Sequence, residues 1–404
     1  HNGKEVIIHE NIDDKNQTVQ YPDGHTQAAD PDTDDRTMMA KGEVLIKDSV
    51  FYENVLPGHE YVLTGKVMLK PLGEEEPVEL EARMVDADGN DIDEWVFTAE
   101  NKDGVEDVYF MINADELAGR SVVMFENMDV IHPELETRAT IFTHEDINDD
   151  EQTVHFPDGR TTALDSDTGS HTSYADEEVT INDEVIFKNL IPGKLYTLDG
   201  VLYDKATGLP LIVDGKEVVA HKEFVPETAD GSTIVEFTFN GLGLAGKTVV
   251  AGETVKTNGK EVFIHFDLND EDQTVRFPKV RTTAVDKKDG DHEISYKGTE
   301  TIVDTVSYEN VYVGNKYHVY GVLMNKTTGQ PAKAGGKEIV GDATFVAKDT
   351  KGTVQVTFRF NAADLKAGDY VVFETLYEVN AETGDEKPVA SHRDLNDKSQ
   401  TVRR

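Results

Sequence analysis

The stretch "HEDINDDEQTVHFPDGRTTALD", running from His144 to Asp165, is not unique in this chain. It is preceded by "HENIDDKNQTVQYPDGHTQAAD" from His9, followed by "HFDLNDEDQTVRFPKVRTTAVD" from His265, and begun once more as "HRDLNDKSQTV" from His392. Self-similarity at a fixed period decides an architecture before any local motif does, and a period this long is a whole domain, too long for a solenoid turn. Other signatures recur in step: "ENVLPGHEYVLTGKV" from Glu53, "KNLIPGKLYTLDGVL" from Lys188 and "ENVYVGNKYHVYGVL" from Glu309.

Between these anchors the chain reads as strands. Runs such as "STIVEFTFN" and "GTVQVTFRF" alternate apolar with polar residues and are rich in Val, Thr, Ile and Phe. Gly and Pro in "ATGLP", "TTGQP" and "LPG" or "IPG" supply the turns. Only "NADELAGR" and "NAADLKAGD" read as helical, each a single turn ending at Gly. The expected fold is all-β: tandem immunoglobulin-like β-sandwich modules in an elongated rod. Residues 1–20 read as the C-terminal strand of a preceding repeat, because "NGKEVIIH" nearly repeats the "NGKEVFIH" before Phe266; the modules then span 21–155, 156–276 and 277–404. The short links between them favour a rod over flexibly strung beads.

Composition narrows the function. With 79 acidic against 39 basic side chains the formal charge is -40, spread along the chain. Such a surface repels phosphate backbones and anionic headgroups, so nucleic acid is not an expected partner. No apolar run reaches the roughly 20 residues that span a bilayer, and membrane insertion is not expected either. The absence of cysteine removes disulfides, thiolate metal sites and cysteine nucleophiles together. Any covalent brace must use other chemistry.

One constellation offers it. His, an Asp five residues on and a Gln three further recur as His9, Asp14, Gln17; His144, Asp149, Gln152; His265, Asp270, Gln273; and His392, Asp397, Gln400. Each complete module opens with Thr-x-Ala, at Thr26, Thr161 and Thr282, and carries a Glu in its penultimate strand, at Glu126, Glu253 and Glu374. In a sandwich the first and last strands can lie side by side, which gathers a weak nucleophile, a base, a carboxamide electrophile and two carboxyls. Histidine can take the Thr proton, and the alkoxide can attack the Gln carbonyl. Two close carboxyls cannot both ionise cheaply, so one of the Asp/Glu pair is expected to stay protonated and donate to the oxyanion. The product is an ester and ammonia.

These residues resemble the ester-bond-forming immunoglobulin-like domains, known as VaFE repeats, of Gram-positive surface adhesins. "VVFETLY" around Glu374 and "HRDLNDKSQTV" match that family's late strands, and the resemblance spans essentially all of residues 1–404. It implies self-catalysed Thr–Gln cross-links with Thr26, Thr161 and Thr282 as nucleophiles, Gln152, Gln273 and Gln400 as their partners, and Glu126, His144, Asp149, Glu253, His265, Asp270, Glu374, His392 and Asp397 as catalytic helpers. It implies a monomeric stalk, without cofactor, metal or turnover, on the cell wall of a Gram-positive bacterium, reaching a host receptor through a tip domain outside this sequence.

Two departures stand out. Modules two and three offer a second Thr, at 162 and 283, where module one has Gln27; alignment with Thr26 favours the first position. Module two has Gly252 before Glu253 where its counterparts have Phe125 and Phe373, which reads as looser packing around that carboxyl and the weakest of the three bonds. Gln17 lacks partners from its own module and is expected to be unbonded, unless it captures a partner from another molecule. Four rival readings carry less: a Ser/His/Asp-type hydrolase, which needs an open pocket; a merely hydrogen-bonded strand-end motif; calcium in "DPDTDD", "DSDTGS" and "DKKDGD"; and ligand binding, for which the longer first module with Trp95 is the place to look.

Overall fold

The computed structural model describes residues 9–15, 17–132, 134 and 136–404. The "NGKEVIIH" reading therefore lies mostly outside the described residues. From Asp23 on, the described residues fold as tandem antiparallel β-sandwich modules. In module one the strands that matter are β1 (Asp23–Ala29), β2 (Glu43–Glu53), β3 (Glu60–Leu69), β4 (Gly104–Asn113), β5 (Arg120–His132), β6 (Thr137–His144) and β7 (Thr153–Phe156). One sheet runs β1-β2-β4; the other centres on β5, which pairs with β3 on one side and with both β6 and β7 on the other. Inward side chains of the two sheets, among them Ile46, Val50 and Phe110 against Leu63, Met124 and Met128, form the core. Alternation along each strand places them there.

Module two repeats the plan with β8 (Asp158–Asp165), β9 (Val179–Lys188), β10 (Tyr196–Asp204), β11 (Gly231–Phe239), β12 (Thr248–Thr257), β13 (Lys260–His265) and β14 (Thr274–Arg276). Module three does so with β15 (Lys279–Asp286), β16 (Thr299–Glu309), β17 (Lys316–Asn325), β18 (Lys351–Asn361), β19 (Asp369–Val379), β20 (Glu386–His392) and β21 (Thr401–Arg403). Of the two expected helical turns one forms, a 3-10 turn at Ala362–Asp364 capped by Asn361. "NADELAGR" is a turn without helix, closed by Gly119 at φ 76°. The segment around Trp95 is built into the sandwich: Trp95–Thr98 pairs with β3, and Trp95 Nε1 donates to Glu106 (3.0 Å). Among the described residues no helix is long and apolar enough to cross a membrane.

The feature that positions the chemistry is an interrupted last strand. β6 and β7 lie in line along the same edge of β5, yet His144 faces Glu126 while Thr153 faces Val123, so the intervening residues 145–152 arch out as an oversized bulge. Modules two and three do the same, with His265 facing Glu253 and Thr274 facing Val250, then His392 facing Glu374 and Thr401 facing Val371. Aspartates staple the arch: Asp146 Oδ1 accepts from Asn148 N (2.9 Å), Asp149 Oδ1 from Glu151 N (2.8 Å), and Thr153 Oγ1 donates to Asp149 O (2.6 Å). This is why the repeat is so rich in Asp and Asn. Across the gap Ala28 N donates to Glu151 O (2.9 Å), which ties the arch to β1.

Candidate active site

Each arch returns a Gln to the core. Gln152, Gln273 and Gln400 are fully buried, as are Glu126 and Glu374, with Glu253 nearly so. Thr26, Thr161 and Thr282 are buried on the first strands, whereas Thr162 is only half-buried and Thr283 exposed. Strand alternation thus aims the first Thr of each pair inward.

In module one Gln152 Nε2 donates to Thr26 Oγ1 (2.6 Å) and to Glu126 Oε2 (3.0 Å), joining residues 126 apart in sequence. Thr26 Oγ1 has two acceptors for its proton, Glu126 Oε2 and His144 Nδ1, both at 3.3 Å. Thr26 N also donates to His144 Nδ1 (3.2 Å), while His144 Nε2 faces Asp149 Oδ2 (3.0 Å). These partners fix the tautomer: Nε2 carries the hydrogen toward the carboxylate, and the Nδ1 lone pair faces the Thr hydroxyl. Module two matches, with Gln273 Nε2 on Thr161 Oγ1 (3.0 Å) and Glu253 Oε2 (3.2 Å), and His265 Nδ1 against Thr161 Oγ1 (3.3 Å). There Gln273 Oε1 also accepts from Asp267 N (3.3 Å).

The carboxyl facing the Glu is not the one expected from the sequence. Asp149, Asp270 and Asp397 sit on the far side of their histidines, at 3.0, 3.5 and 3.1 Å from Nε2, and orient the ring. The buried carboxyl pair is instead Glu126 with Asp48, Glu253 with Asp183, and Glu374 with Asp304. These aspartates come from the second strand, where Asp48 faces Ala28, Asp183 faces Ala163 and Asp304 faces Ala284. Their signal was in the sequence: Ile46-x-Asp48-x-Val50, Ile181-x-Asp183-x-Val185 and Ile302-x-Asp304-x-Val306 each put a carboxyl at an inward position of an apolar alternation.

Both oxygens of these aspartates are buried, and two facing carboxyls so removed from water favour sharing one proton over carrying two charges. Burial, then the neighbouring Asp, raises all three glutamates, Glu374 to about 10. Burial likewise raises the aspartates, Asp304 to about 6. At neutral pH Glu374 is a neutral acid, and the shift of Glu126 and Glu253 in the same direction favours their protonated forms.

A glycine faces each of these glutamates. Gly65, Gly200 and Gly321 lie directly opposite Glu126, Glu253 and Glu374. A Cβ there would come within 2.6, 2.5 and 2.5 Å of the rings of Phe110, Phe237 and Phe358. Gly252, the departure in module two, lies on the opposite face of β12 from Glu253. Phe266 covers it, tilted at 32° against Tyr203 (centroids 4.2 Å apart), while Glu253 on the core face is 1% exposed; the expected loosening is absent.

Module three is the one that differs. Gln400 Nε2 donates to Thr282 Oγ1 (2.7 Å) but also to Val372 O (2.7 Å), and Glu374 leans over Gly321, where a Cβ would be 2.5 and 2.6 Å from its oxygens. His392 Nδ1 has no hydrogen bond among the described residues. Upstream, His9 Nε2 and Asp14 Oδ2 keep their pairing (2.8 Å), with Gln17 exposed. The acidic loops have a structural use: Asp30, Asp165 and Asp286 are buried and each accepts from the backbone N–H two residues on (2.9, 3.0 and 2.8 Å).

A family model described as "T-Q ester bond containing domain" matches residues 23–156, 159–277 and 278–404. No curated protein matches the chain. Similar solved structures include a Mobiluncus mulieris adhesin containing intramolecular disulfide, isopeptide and ester bond cross-links, at 14% identity and TM-score 0.26 over 55% of this chain and 80% of that one. The C-terminal domain of the Streptococcus agalactiae AgI/II polypeptide BspA aligns at 9% identity and TM-score 0.32, covering 60% and 98%. A tetra-tandem repeat in the extending region of a large adhesion protein aligns at 12% and 0.23, covering 92% and 74%. These superpositions are too loose to carry a functional assignment.

Proposed function

Given that the chain belongs to the family of T-Q ester bond containing domains, we propose that each module closes one ester, Thr26 to Gln152, Thr161 to Gln273 and Thr282 to Gln400. The supporting observation is the buried contact of Thr Oγ1 with the Gln carboxamide, made in all three modules beside a histidine and a protonatable carboxyl pair. His144 Nδ1 takes the hydroxyl proton while Asp149 steadies the imidazolium that forms. Oγ1 attacks Gln152 Cδ, and the protonated Glu126–Asp48 pair, which faces Nε2 (3.0 Å), hydrogen-bonds the departing nitrogen. The Cδ–Nε2 bond then breaks, and the amide nitrogen departs with the hydroxyl proton as ammonia. Folding supplies the proximity, with effective molarities of order 10⁵–10⁸ M. Each site acts once, since its nucleophile is consumed.

The biological reading is the stalk of a Gram-positive surface adhesin, anchored in the cell wall and carrying a receptor-binding tip elsewhere. A tie between the first and last strands lets tension bypass the hydrogen-bonded ladders. Burial of the cluster argues against its use as a ligand site. Peptide mapping tests the chemistry: proteolysis should release one fused peptide holding Thr161 and Gln273, and Thr161→Val should yield the two separately. Recovery of both peptides unlinked from the unsubstituted chain refutes the reading.

A further inference from the structure

Asn189 and Asn310 occupy equivalent turns after β9 and β16, in the left-handed region at φ 59° and 64°. Asn adopts that region more readily than most residues, yet Gly is the default there, so the carboxamide calls for a reason. In both turns it reaches into the preceding module. Asn189 Nδ2 donates to Arg120 O (2.5 Å) and Phe156 O (3.4 Å), and its Oδ1 accepts from Ser121 Oγ (3.0 Å) and faces His155 Nδ1 (3.0 Å). Asn310 Nδ2 donates to Lys247 O (2.6 Å) and Phe277 O (3.1 Å), and its Oδ1 accepts from Thr248 Oγ1 (3.0 Å). The targets are equivalent: the carbonyl that opens the penultimate strand, the carbonyl before the linking proline, and the hydroxyl of the next strand residue.

The surroundings are not shared. Between modules one and two the flank is ionic, with Lys260 on Asp30 and on Asp32 (3.2 Å), and Lys194 on Asp35. Between modules two and three it is uncharged or mixed: Ser170 Oγ donates to Glu378 (2.8 Å), Tyr174 meets Ser391 (2.6 Å), and the Arg276 guanidinium lies 4.2 Å over the Tyr312 ring. The asparagine contact persists where the flanks have changed, so its geometry answers to the junction itself. Asn54, at φ 60°, keeps the corresponding half-contact, donating to Tyr21 O (2.8 Å).

We propose that this asparagine is a latch, a docking element that recognises the end of a module of the same kind by two strand-end carbonyls and a Ser or Thr hydroxyl, and so fixes the angle between consecutive modules. A carboxamide suits the task because it presents two donors and an acceptor on one rigid plane. Interfaces between domains of one chain otherwise permit relative motion. The latch does not depend on ester formation.

The chain has no cysteine, so spin labels can be placed cleanly on the full-length protein. Glu81→Cys with Glu236→Cys spans the first junction, and Glu236→Cys with Gln355→Cys the second; all three positions are exposed. Pulsed-dipolar distance distributions should be narrow for both pairs. Asn189→Gly, which keeps the positive φ, and Asn189→Asp, which keeps the acceptor but loses both donors, should each broaden the first distribution at least twofold and leave the second unchanged; Asn310 variants should do the reverse. An unchanged distribution in the Asp variants, or broadening by glycine alone, overturns the proposal, as does a parent distribution already as broad as the variants'.

Discussion

Modules two and three invert the expectation drawn from their sequences. Module two carries the visible departure, Gly252, yet its Thr161, Gln273, Glu253 and His265 adopt the same contacts as in module one. Module three has the fuller match to the family's late strands, yet its Gln400 amide is held by Val372 O and its Glu374 is turned over Gly321. A ring lost from one strand can be restored by its neighbour, because outward packing needs only a covering group. The poise of the reacting groups depends on two side-chain rotations that no residue type announces.

Removing a nucleophile has the largest expected effect. Thr161→Val and Thr282→Val should each abolish one cross-link and destabilise their module alike, by about 5 kcal/mol on the chain-entropy model for loops of 112 and 118 residues. Calorimetry should show the two losses to be of similar size. Glu253→Gln and Glu374→Gln should abolish the same bonds through loss of the acid, with the Thr and Gln peptides recovered separately.

A sharper test is the rate. In cell-free synthesis followed by quenching and peptide mapping, the module-two ester should appear several-fold earlier than the module-three ester, since Gln400 and Glu374 must first rotate. Equal rates would remove the distinction.

Next comes pH. Burial raises the folded-state values of Glu374 and Asp304, to about 10 and about 6, so the folded state holds protons that the unfolded chain releases. The stability this represents is fully present below the ordinary carboxylate range and is lost as pH climbs toward about 10. Uncross-linked Thr282→Val should therefore melt progressively lower across that window, and adding Glu374→Gln should flatten the slope. The smallest effect is expected from Phe266→Ala: about 1 kcal/mol for the lost ring pair with Tyr203, and an unimpaired module-two ester.

Much of this was legible in the chain. Repetition exposed the modules, alternation the strands, and the recurring His, Asp, Gln, Thr and Glu the cluster. The second-strand aspartates stand alone amid apolar residues, outside the recurring motif, whereas Asp149 lies within it, so the motif by itself points to the wrong partner for the glutamate. The true partner of Asp149, the histidine Nε2, emerges only when the arch of residues 145–152 is seen folding back. Glycines 65, 200 and 321 carried a further signal, since a glycine inside an apolar strand marks a close approach. The Asn latch has no local signature; its meaning resides in carbonyls of the preceding module.

Mass under denaturing conditions tests the central claim most directly. The intact chain should weigh less than its sequence by three ammonias, one for each module, and the triple variant Thr26→Val, Thr161→Val, Thr282→Val should show no such deficit once the substitutions are counted. A full sequence mass for the unsubstituted chain would contradict the account.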